Sequence, residues 1–380
     1  MTPRPPRIQI VTASIGEGHD LPARVLAEGL RAADPECEVE IIDFLAVVGP
    51  FLRNAIGSGA SYDTEFGNRM YDIEHRLMMG PLRRPVQLGG RLLAGKHLLR
   101  EAARFSPDVI VATYPGASEV LGQLRTRGEL ATPVVSAITD LASLWGWAEP
   151  GVDLHLITHP ESEPEVHFIA PRSRIQAVRG LTSASFYEPL GAAAARRSLD
   201  LPEEGPLITV SGGGWAVGDL GGAAEAALRL SEATVVCLCG RNEEVRISLD
   251  ARFAAEPRLQ AWGFTERMGE LMAASDVLVH SSAGLTVLEA LIRGTRVVSY
   301  GWGIAHIRIN NEAYERLGLA RVALDPPQLE RALAEALAEQ RRPDTELQGL
   351  PEAAEVVLDL ALSPSASATI PATARELPST

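Results

Sequence analysis

The stretch SDVLVHSSAGLTVLEALIRGTRVVSYG, residues 275–301, has the pattern of one complete strand–helix–strand unit. A short Val-rich run comes first, small residues and glycine follow, and apolar residues then recur at helical spacing before a second Val-rich run. We expect the helix to begin near Leu285. Because a helical crossover joins strands that run parallel, the stretch predicts part of a parallel sheet.

The same alternation of strand and helix occurs in two series along the chain. The predicted strands of the first series are RIQIVTA, EVEIIDF, DVIVAT, PVVSAI and DLHLIT, and those of the second are PLITVSGGG, ATVVCLCG, RLQAWG, SDVLVHS and TRVVSYG. Two successive series predict an α/β protein with two doubly wound Rossmann-like domains facing a cleft. We place the domains at residues 1–190 and 191–345, followed by a helix over 346–362 that packs back on the first domain and a disordered tail over 363–380.

Charge and composition exclude several classes of function. The 380-residue chain has a formal net charge of −14, which argues against a nucleic-acid partner, because such partners select basic domains. The sequence has no uninterrupted apolar stretch of about eighteen residues, and its N-terminus MTPRPPRIQI lacks the apolar core of a secretory signal. These features predict a cytoplasmic protein.

Three glycine clusters follow predicted strands. They are SIGEGHD in the first domain and SGGGWAVGD and HSSAGLTVLEA in the second. Ligands of open parallel sheets bind beyond the carboxyl ends of the strands, where glycine lets the backbone approach and helix N-termini present N–H groups. The clusters therefore predict a ligand in the cleft, although each could be only a tight turn. None is a GxGxxG or Walker sequence, which disfavours nicotinamide enzymes and ATPases.

The last cluster leads into a helix that carries a carboxylate, Glu289. The free N–H groups at the start of this helix could hold a diphosphate. Glu289 falls about one turn into the helix on the cleft side, where it could accept hydrogen bonds from both hydroxyls of a ribose. The alternative is an ordinary solvated helix residue.

His19 is the ionisable residue of the first cluster. An unperturbed pKa of about 6.5 suits a base that takes the proton of an acceptor hydroxyl. Gly16 and Gly18 would let acceptor and diphosphate approach the backbone, beside the positive end of a helix beginning near Leu21. Because helix ends and backbone donors can replace a metal ion, we expect no metal requirement. The alternative is that His19 only caps the helix.

Four blocks of sequence together resemble a known family. They are SIGEGHDLPARVLAEGL, ITDLASLWGWAEPGVDLHLIT, GRNEEVRISLDAR and GFTERMGELMAASDVLVHSSAGLTVLEALIRG. In this order they resemble the diacylglycerol glycosyltransferases of the monogalactosyldiacylglycerol synthase and processive diacylglycerol glucosyltransferase type, which are relatives of the peptidoglycan lipid N-acetylglucosaminyltransferase.

The resemblance implies a two-domain GT-B glycosyltransferase. Its C-terminal domain would hold a UDP-sugar as donor substrate, with no further cofactor, and its N-terminal domain would hold the acceptor. Carried over by motif, His19 is the base and Phe264 lies at the uracil through its backbone. The other implied donor contacts are Gly212, Gly213, Gly214, Gly240, Arg241, Asn242, Ser282, Ala283, Gly284, Leu285, Thr286 and Glu289.

The chain departs from the family where members contact the sugar. WGIAHIRINNEA, residues 302–313, stands where many members have Pro-Gly-Gln-Glu-Glu-Glu-Asn, and it leaves His306, Asn310 and Asn311 as polar equivalents. HSSAGLT also replaces KPGGLT, which changes the charge beside the phosphates. The donor sugar therefore stays open.

The predicted function is inverting transfer of a hexose from a UDP-sugar to an acceptor hydroxyl, with a membrane glycerolipid such as diacylglycerol as acceptor. One alternative is a transferase with a soluble acceptor. A UDP-sugar epimerase would need several carboxylates near the sugar, and few occur after Tyr300. A non-catalytic nucleotide-sugar-binding or regulatory protein is favoured by the lost Gln-Glu run and disfavoured by the retained Gly-Glu-Gly-His.

Residues 76–104 form a basic segment in this acidic chain. The segment has seven Lys or Arg residues and one acid, Glu101, with Leu and Met between them. Such a composition suits a surface that lies on anionic lipid, which predicts peripheral attachment to the inner face of the membrane. The alternative is a pair of ordinary helices whose leucines pack inward and whose arginines are solvated.

Overall fold

The computed structural model describes residues 4–14, 17–48, 83–230, 232–281, 284–301, 305–340 and 343–363. Several predictions fall outside these residues: those on Gly16, Ser282, Ala283, residues 76–82 and the tail over 364–380, and those on the side chains of residues 83–87 and His306.

Each domain is built on a parallel sheet of six strands. The N-terminal strands are β1 (Arg7–Thr12), β2 (Glu38–Asp43), β3 (Val109–Ala112), β4 (Val134–Ile138), β5 (Leu154–Ile157) and β6 (Arg174–Ala177), in the order β2-β1-β3-β4-β5-β6. The C-terminal strands are β7 (Leu207–Ser211), β8 (Thr234–Leu238), β9 (Leu259–Trp262), β10 (Val277–His280), β11 (Arg296–Tyr300) and β12 (Arg321–Ala323), in the order β12-β11-β10-β7-β8-β9. The predicted pair of doubly wound α/β domains is confirmed.

Helices cover both faces of each sheet. Those that follow the N-terminal strands are α1 (Glu17–Ala33), α2 (Phe44–Val48), α3 (Arg83–Phe105), α4 (Pro115–Thr126) and α5 (Glu163–Ile169). Those that follow them in the chain are α6 (Ala192–Ser198), α7 (Leu220–Leu228), α8 (Glu243–Arg252), α9 (Met268–Ala274), α10 (Leu285–Arg293), α11 (Ala305–Arg316), α12 (Pro326–Ala338), α13 (Thr345–Gly349) and α14 (Ala353–Leu362). Helix α10 begins at Leu285 as predicted, whereas α1 begins four residues before Leu21, because Gly18 and Pro22 are poor helix formers and hide its first turn in the sequence.

The last helix, α14, packs on the N-terminal domain. Its Val357 and Leu358 are buried in the same apolar cluster as Ile8 of β1 and Leu26 of α1. Helices α1 and α14 approach closely because residue 29 is a glycine, where a Cβ atom would lie 3.1 Å from that of Ala354. The chain therefore crosses from the second domain back to the first before the described residues end.

The topology places the predicted ligand residues at one edge of each sheet. In parallel sheets the carboxyl ends of all strands lie at the same edge. In the first sheet β1, β3 and β4 are neighbours, and in the second β10, β7 and β8 are neighbours. The glycine clusters follow β1, β7 and β10, so each lies at the centre of such an edge.

Candidate active site

His19 lies in the first turn of α1 and contacts the end of the neighbouring strand β3. Its Nδ1 is 3.1 Å from the carbonyl oxygen of Thr113, and Thr113 Oγ1 donates to the carbonyl of His19 at 3.2 Å. A carbonyl oxygen can only accept, so Nδ1 carries the hydrogen of this bond. Nε2 is then the basic nitrogen of the neutral ring. The ring binds a carbonyl of another element, which does not fit a residue that only caps α1.

Two aromatic rings flank the imidazole. The ring centroid of Tyr114 is 5.2 Å from that of His19 in an edge arrangement, and the buried ring of Trp147 is 5.8 Å away. Trp147 also donates from Nε1 to Asp140 Oδ2 at 2.7 Å. The loop that follows β4 therefore supplies both a wall for the imidazole and a carboxylate.

Asp140 is a functional candidate that the sequence reasoning missed. Burial raises the pKa of its carboxyl group, while the hydrogen bond from Trp147 and the nearby charge of His19 oppose the rise. When ionised, Asp140 stabilises an imidazolium at His19 because opposite charges attract strongly in a partly buried site. Its position directly beyond a central strand, in the block ITDLASLWGWAEPGVDLHLIT, was the available signal.

The structure brings together the loops after β7 and β8. Arg241 donates its backbone N–H to the carbonyl of Gly214 at 2.8 Å. Gly240 has φ of +54°, and a Cβ atom there would lie 2.3 Å from the oxygen of Gly214. Only glycine fits this approach without displacing the backbone.

Two further predicted donor residues, Asn242 and Phe264, lie on or beside this pair of loops. The guanidinium of Arg241 lies 4.2 Å from the ring centroid of Phe264, a cation–π contact, and Phe264 is 50% exposed. Asn242 instead caps α8, since its Oδ1 accepts from the backbone N–H of Val245 at 3.1 Å. The Arg241–Phe264 pair thus presents an accessible surface, whereas the Asn242 side chain supports the loop.

The N-terminus of α10 lies against the first of these loops. Ser281 Oγ donates to the carbonyl of Val217, and a Cβ atom at Gly218 would lie 2.6 Å from Ser281 Oγ. Gly284 precedes the helix with φ of +93°, and no acidic residue lies in the first helical turn. The N–H groups of Leu285 and Thr286 have no partner within the helix, which makes this end suited to an anion.

Glu289 is buried and is not a solvated helix residue. The side chain is 5% exposed and accepts a hydrogen bond from Oγ1 of Thr182, which lies in the segment between the two sheets. Burial raises the pKa of Glu289 from 4.5 to about 7, although the bond from Thr182 acts in the opposite direction. The contact of Thr182 with Glu289 could not be predicted from sequence periodicity, because it depends on how the segment between the sheets crosses α10.

The structure separates the roles of Asn310 and Asn311, which are both 2% exposed. Asn310 Oδ1 accepts from the backbone N–H groups of Leu141 and Ala142, each at 3.1 Å, so its side chain contacts the N-terminal domain. Both polar side-chain atoms of Asn311 are without a hydrogen-bond partner among the described residues. The predicted contacts of both residues with a donor sugar stay predictions.

Within the described residues, no group of three or more His, Cys, Asp or Glu side chains is placed to hold a metal ion. Likewise, none of the described helices combines the length and the apolar character needed to cross a bilayer.

The buried carboxyl of Glu289 makes stability depend on pH. Its folded pKa of about 7 lies above the ordinary value of 4.5, so stability falls as the pH rises between these values and is constant above them. Glu289→Gln abolishes this titration. By urea denaturation we expect the variant to gain about 3 kcal/mol relative to the parent between pH 4 and pH 8.

Glu244→Gln, at an exposed position of α8, is the control and should show no such gain. A difference between Glu289→Gln and the parent that does not change with pH would contradict the burial of an ionisable carboxyl group at this position.

Comparison with known proteins supports the resemblance found in the motifs. The family model of monogalactosyldiacylglycerol (MGDG) synthase matches residues 23–170. MGDG synthase 1 of Arabidopsis thaliana is 27% identical over 361 residues, which cover 87% of this chain and 65% of that protein. The processive diacylglycerol beta-glucosyltransferase of Staphylococcus saprophyticus is 25% identical over 223 residues, which cover 58% of this chain and 56% of that protein. The matched regions thus span less than two thirds of these two relatives.

The fold has counterparts among solved structures. MurG of Acinetobacter baumannii aligns with a TM-score of 0.61 at 17% identity, over 94% of this chain and 99% of that one. The two parallel sheets and this alignment confirm the GT-B fold. The chain is a GT-B protein that resembles the MGDG synthases and processive diacylglycerol glucosyltransferases, as its motifs predicted.

Proposed function

We propose that the protein transfers a hexose from a UDP-sugar to a hydroxyl group of diacylglycerol, with inversion at the anomeric carbon. The observation that carries this proposal is the state of His19, whose hydrogen bond to Thr113 leaves Nε2 basic while Asp140 lies close enough to stabilise its protonated form. A base of this kind is what an acceptor hydroxyl needs.

The C-terminal domain supplies the features that a nucleoside diphosphate requires. The free N–H groups at the start of α10 would neutralise the diphosphate, and Glu289 would accept hydrogen bonds from the ribose hydroxyls. Phe264 and Arg241 present an exposed surface for the uracil. Asn311 supports a sugar contact, because a buried amide needs hydrogen-bond partners that the described residues do not supply.

The reaction is a single displacement. The acceptor oxygen forms a bond to the anomeric carbon while its proton passes to His19 Nε2, and the bond from that carbon to the diphosphate oxygen breaks. UDP leaves with the bonding electron pair, and the α10 N-terminus stabilises the added negative charge. Attack from the side opposite the leaving group inverts the configuration. No metal ion is needed in this scheme.

Two observations support diacylglycerol as the acceptor: the names of the relatives and the exposed surface of α3. Both relatives compared above are named for diacylglycerol products or substrates. On α3, Leu92 is 60% and Leu93 57% exposed, and the exposed residues Lys96 and Arg100 follow in the next two turns of the helix. The alternative, in which the leucines pack inward, fits Leu98, which is buried, but does not fit Leu92 and Leu93. This surface suits peripheral binding to the inner, anionic face of a membrane.

The proposed transferase activity is tested by measuring the release of UDP. The parent is incubated with diacylglycerol and, separately, with UDP-glucose, UDP-galactose or UDP-N-acetylglucosamine. His19→Ala should lower turnover about a hundredfold or more, because general-base catalysis is lost. His167→Ala, which removes an exposed histidine of α5, is the control and should keep the parent rate. If no donor gives UDP release, the protein is not a UDP-sugar transferase of the proposed kind. Near-normal turnover of His19→Ala would show that His19 is not the catalytic base.

The membrane surface is tested by sedimentation with anionic vesicles. Lys96→Gln combined with Arg100→Gln should weaken binding about tenfold or more, since each cation near such a surface contributes about 1 kcal/mol. Arg316→Gln combined with Arg331→Gln makes the same charge change at exposed positions of α11 and α12 and should bind like the parent. Added salt should weaken binding of the parent. If the parent does not sediment at low salt, the surface does not bind membranes and a soluble acceptor replaces diacylglycerol in the proposal.

A further inference from the structure

A hydrogen-bonded contact joins the two domains beside the candidate base. Asn310 lies on α11 of the C-terminal domain, and its Oδ1 accepts from the backbone N–H groups of Leu141 and Ala142 at 3.1 Å each. Its Nδ2 donates to the carbonyl oxygen of Ala142 at 3.3 Å. One buried side chain therefore holds both polar groups of the same short backbone segment in the other domain.

This segment directly follows Asp140. On the N-terminal side, Ser162 Oγ donates to the carbonyl of Leu141 at 2.9 Å, and Trp147 Nε1 donates to Asp140 Oδ2 at 2.7 Å. These bonds leave two backbone N–H groups, those of Leu141 and Ala142, whose acceptor comes from the other domain. A buried N–H group without an acceptor is costly, so the segment adopts this conformation at the least cost when Asn310 is in place.

The described surroundings of His19 also include two aromatic rings and a second carboxylate. Tyr114 and Trp147 flank its ring, and Asp20 of the same helix accepts a hydrogen bond from Thr12 Oγ1 at 3.0 Å. Asp140 is the carboxylate whose position depends on the contact with α11. A displacement of this loop would therefore remove the negative charge from the vicinity of the imidazole.

We propose that Asn310 is a positioning residue, which holds Asp140 beside His19 from the opposite domain. The base is then fully assembled only while the two domains are in contact. This inference rests on the proposed function for its effect on turnover, whereas its effect on the ionisation of His19 does not depend on any activity.

A second interdomain contact on the same helix provides a matched control. One turn beyond Asn310, the Oη atom of Tyr314 lies 3.3 Å from Nε2 of His159, and both side chains are buried. Tyr314→Phe removes this contact and leaves the bonds to Leu141 and Ala142 in place. It therefore weakens the interface but keeps every hydrogen bond to the loop that carries Asp140, whose charge acts on the Tyr314 hydroxyl.

The kinetic test compares Asn310→Ala, Asn310→Asp, Tyr314→Phe and Asp140→Asn. We expect Asn310→Ala to lower kcat about tenfold or more with KM for the UDP-sugar within about twofold, because positioning acts on the chemical step. Asn310→Asp keeps an acceptor for both N–H groups but loses the Nδ2 donor to Ala142, so it should recover part of kcat, and Tyr314→Phe should resemble the parent. In the Asp140→Asn background, Asn310→Ala should have an additional effect of less than about twofold.

The activity-independent test is an NMR titration of the His19 ring. Loss of the nearby carboxylate should lower the pKa of His19 by about half a unit or more in Asn310→Ala, with no shift in Tyr314→Phe. An unchanged pKa, multiplicative kinetic effects of the Asn310 and Asp140 changes, or equal losses in Asn310→Ala and Tyr314→Phe would each overturn the inference. If the parent releases no UDP, the proposed function fails, and the titration still decides whether Asn310 holds Asp140 in place.

Discussion

The hydrogen bonds between Asn310 and the backbone after β4 connect the two halves of the candidate site. Parallel sheets present all their ligand loops at one edge, so a site that uses two sheets needs those edges held together. Here a single amide accepts from Leu141 and Ala142, next to Asp140 and hence to His19. On the other side, Thr182 donates to Glu289. Asn310 and Glu289 both belong to the C-terminal domain, and each is hydrogen-bonded to a residue outside that domain.

Burial gives Glu289 a character that its position in the helix does not reveal. A carboxyl group with a pKa of about 7 is poorly solvated, and one hydroxyl donor, that of Thr182, only partly offsets the lost hydration. Two ribose hydroxyls would supply the donors that an ionised carboxylate prefers. The site would therefore favour ligands with a ribose over simple phosphates, which engage the N-terminus of α10 alone.

Much of the fold follows from local pattern, while the contacts between domains do not. Continuous buried runs such as β7 and β10 are visible in the sequence, and the glycines before Leu285 mark the start of α10. The edge strands β6 and β12 are missed, because they have four and three residues and are only partly buried. Asn310 was grouped with sugar contacts by motif, although its amide binds the other domain. Asp140 and Thr182 acquire partners only through tertiary packing, which periodicity cannot encode.

In the proposed reaction the C-terminal domain binds the nucleotide through Glu289 while His19 acts on the acceptor. Calorimetric titration with UDP at pH 8, where Glu289 is ionised, tests it most directly. Glu289→Gln should weaken UDP binding by about 1–3 kcal/mol, the loss of charge-assisted hydrogen bonds, and His19→Ala should bind UDP like the parent. Parent-like UDP affinity of Glu289→Gln, or an equal loss in both variants, would contradict the account.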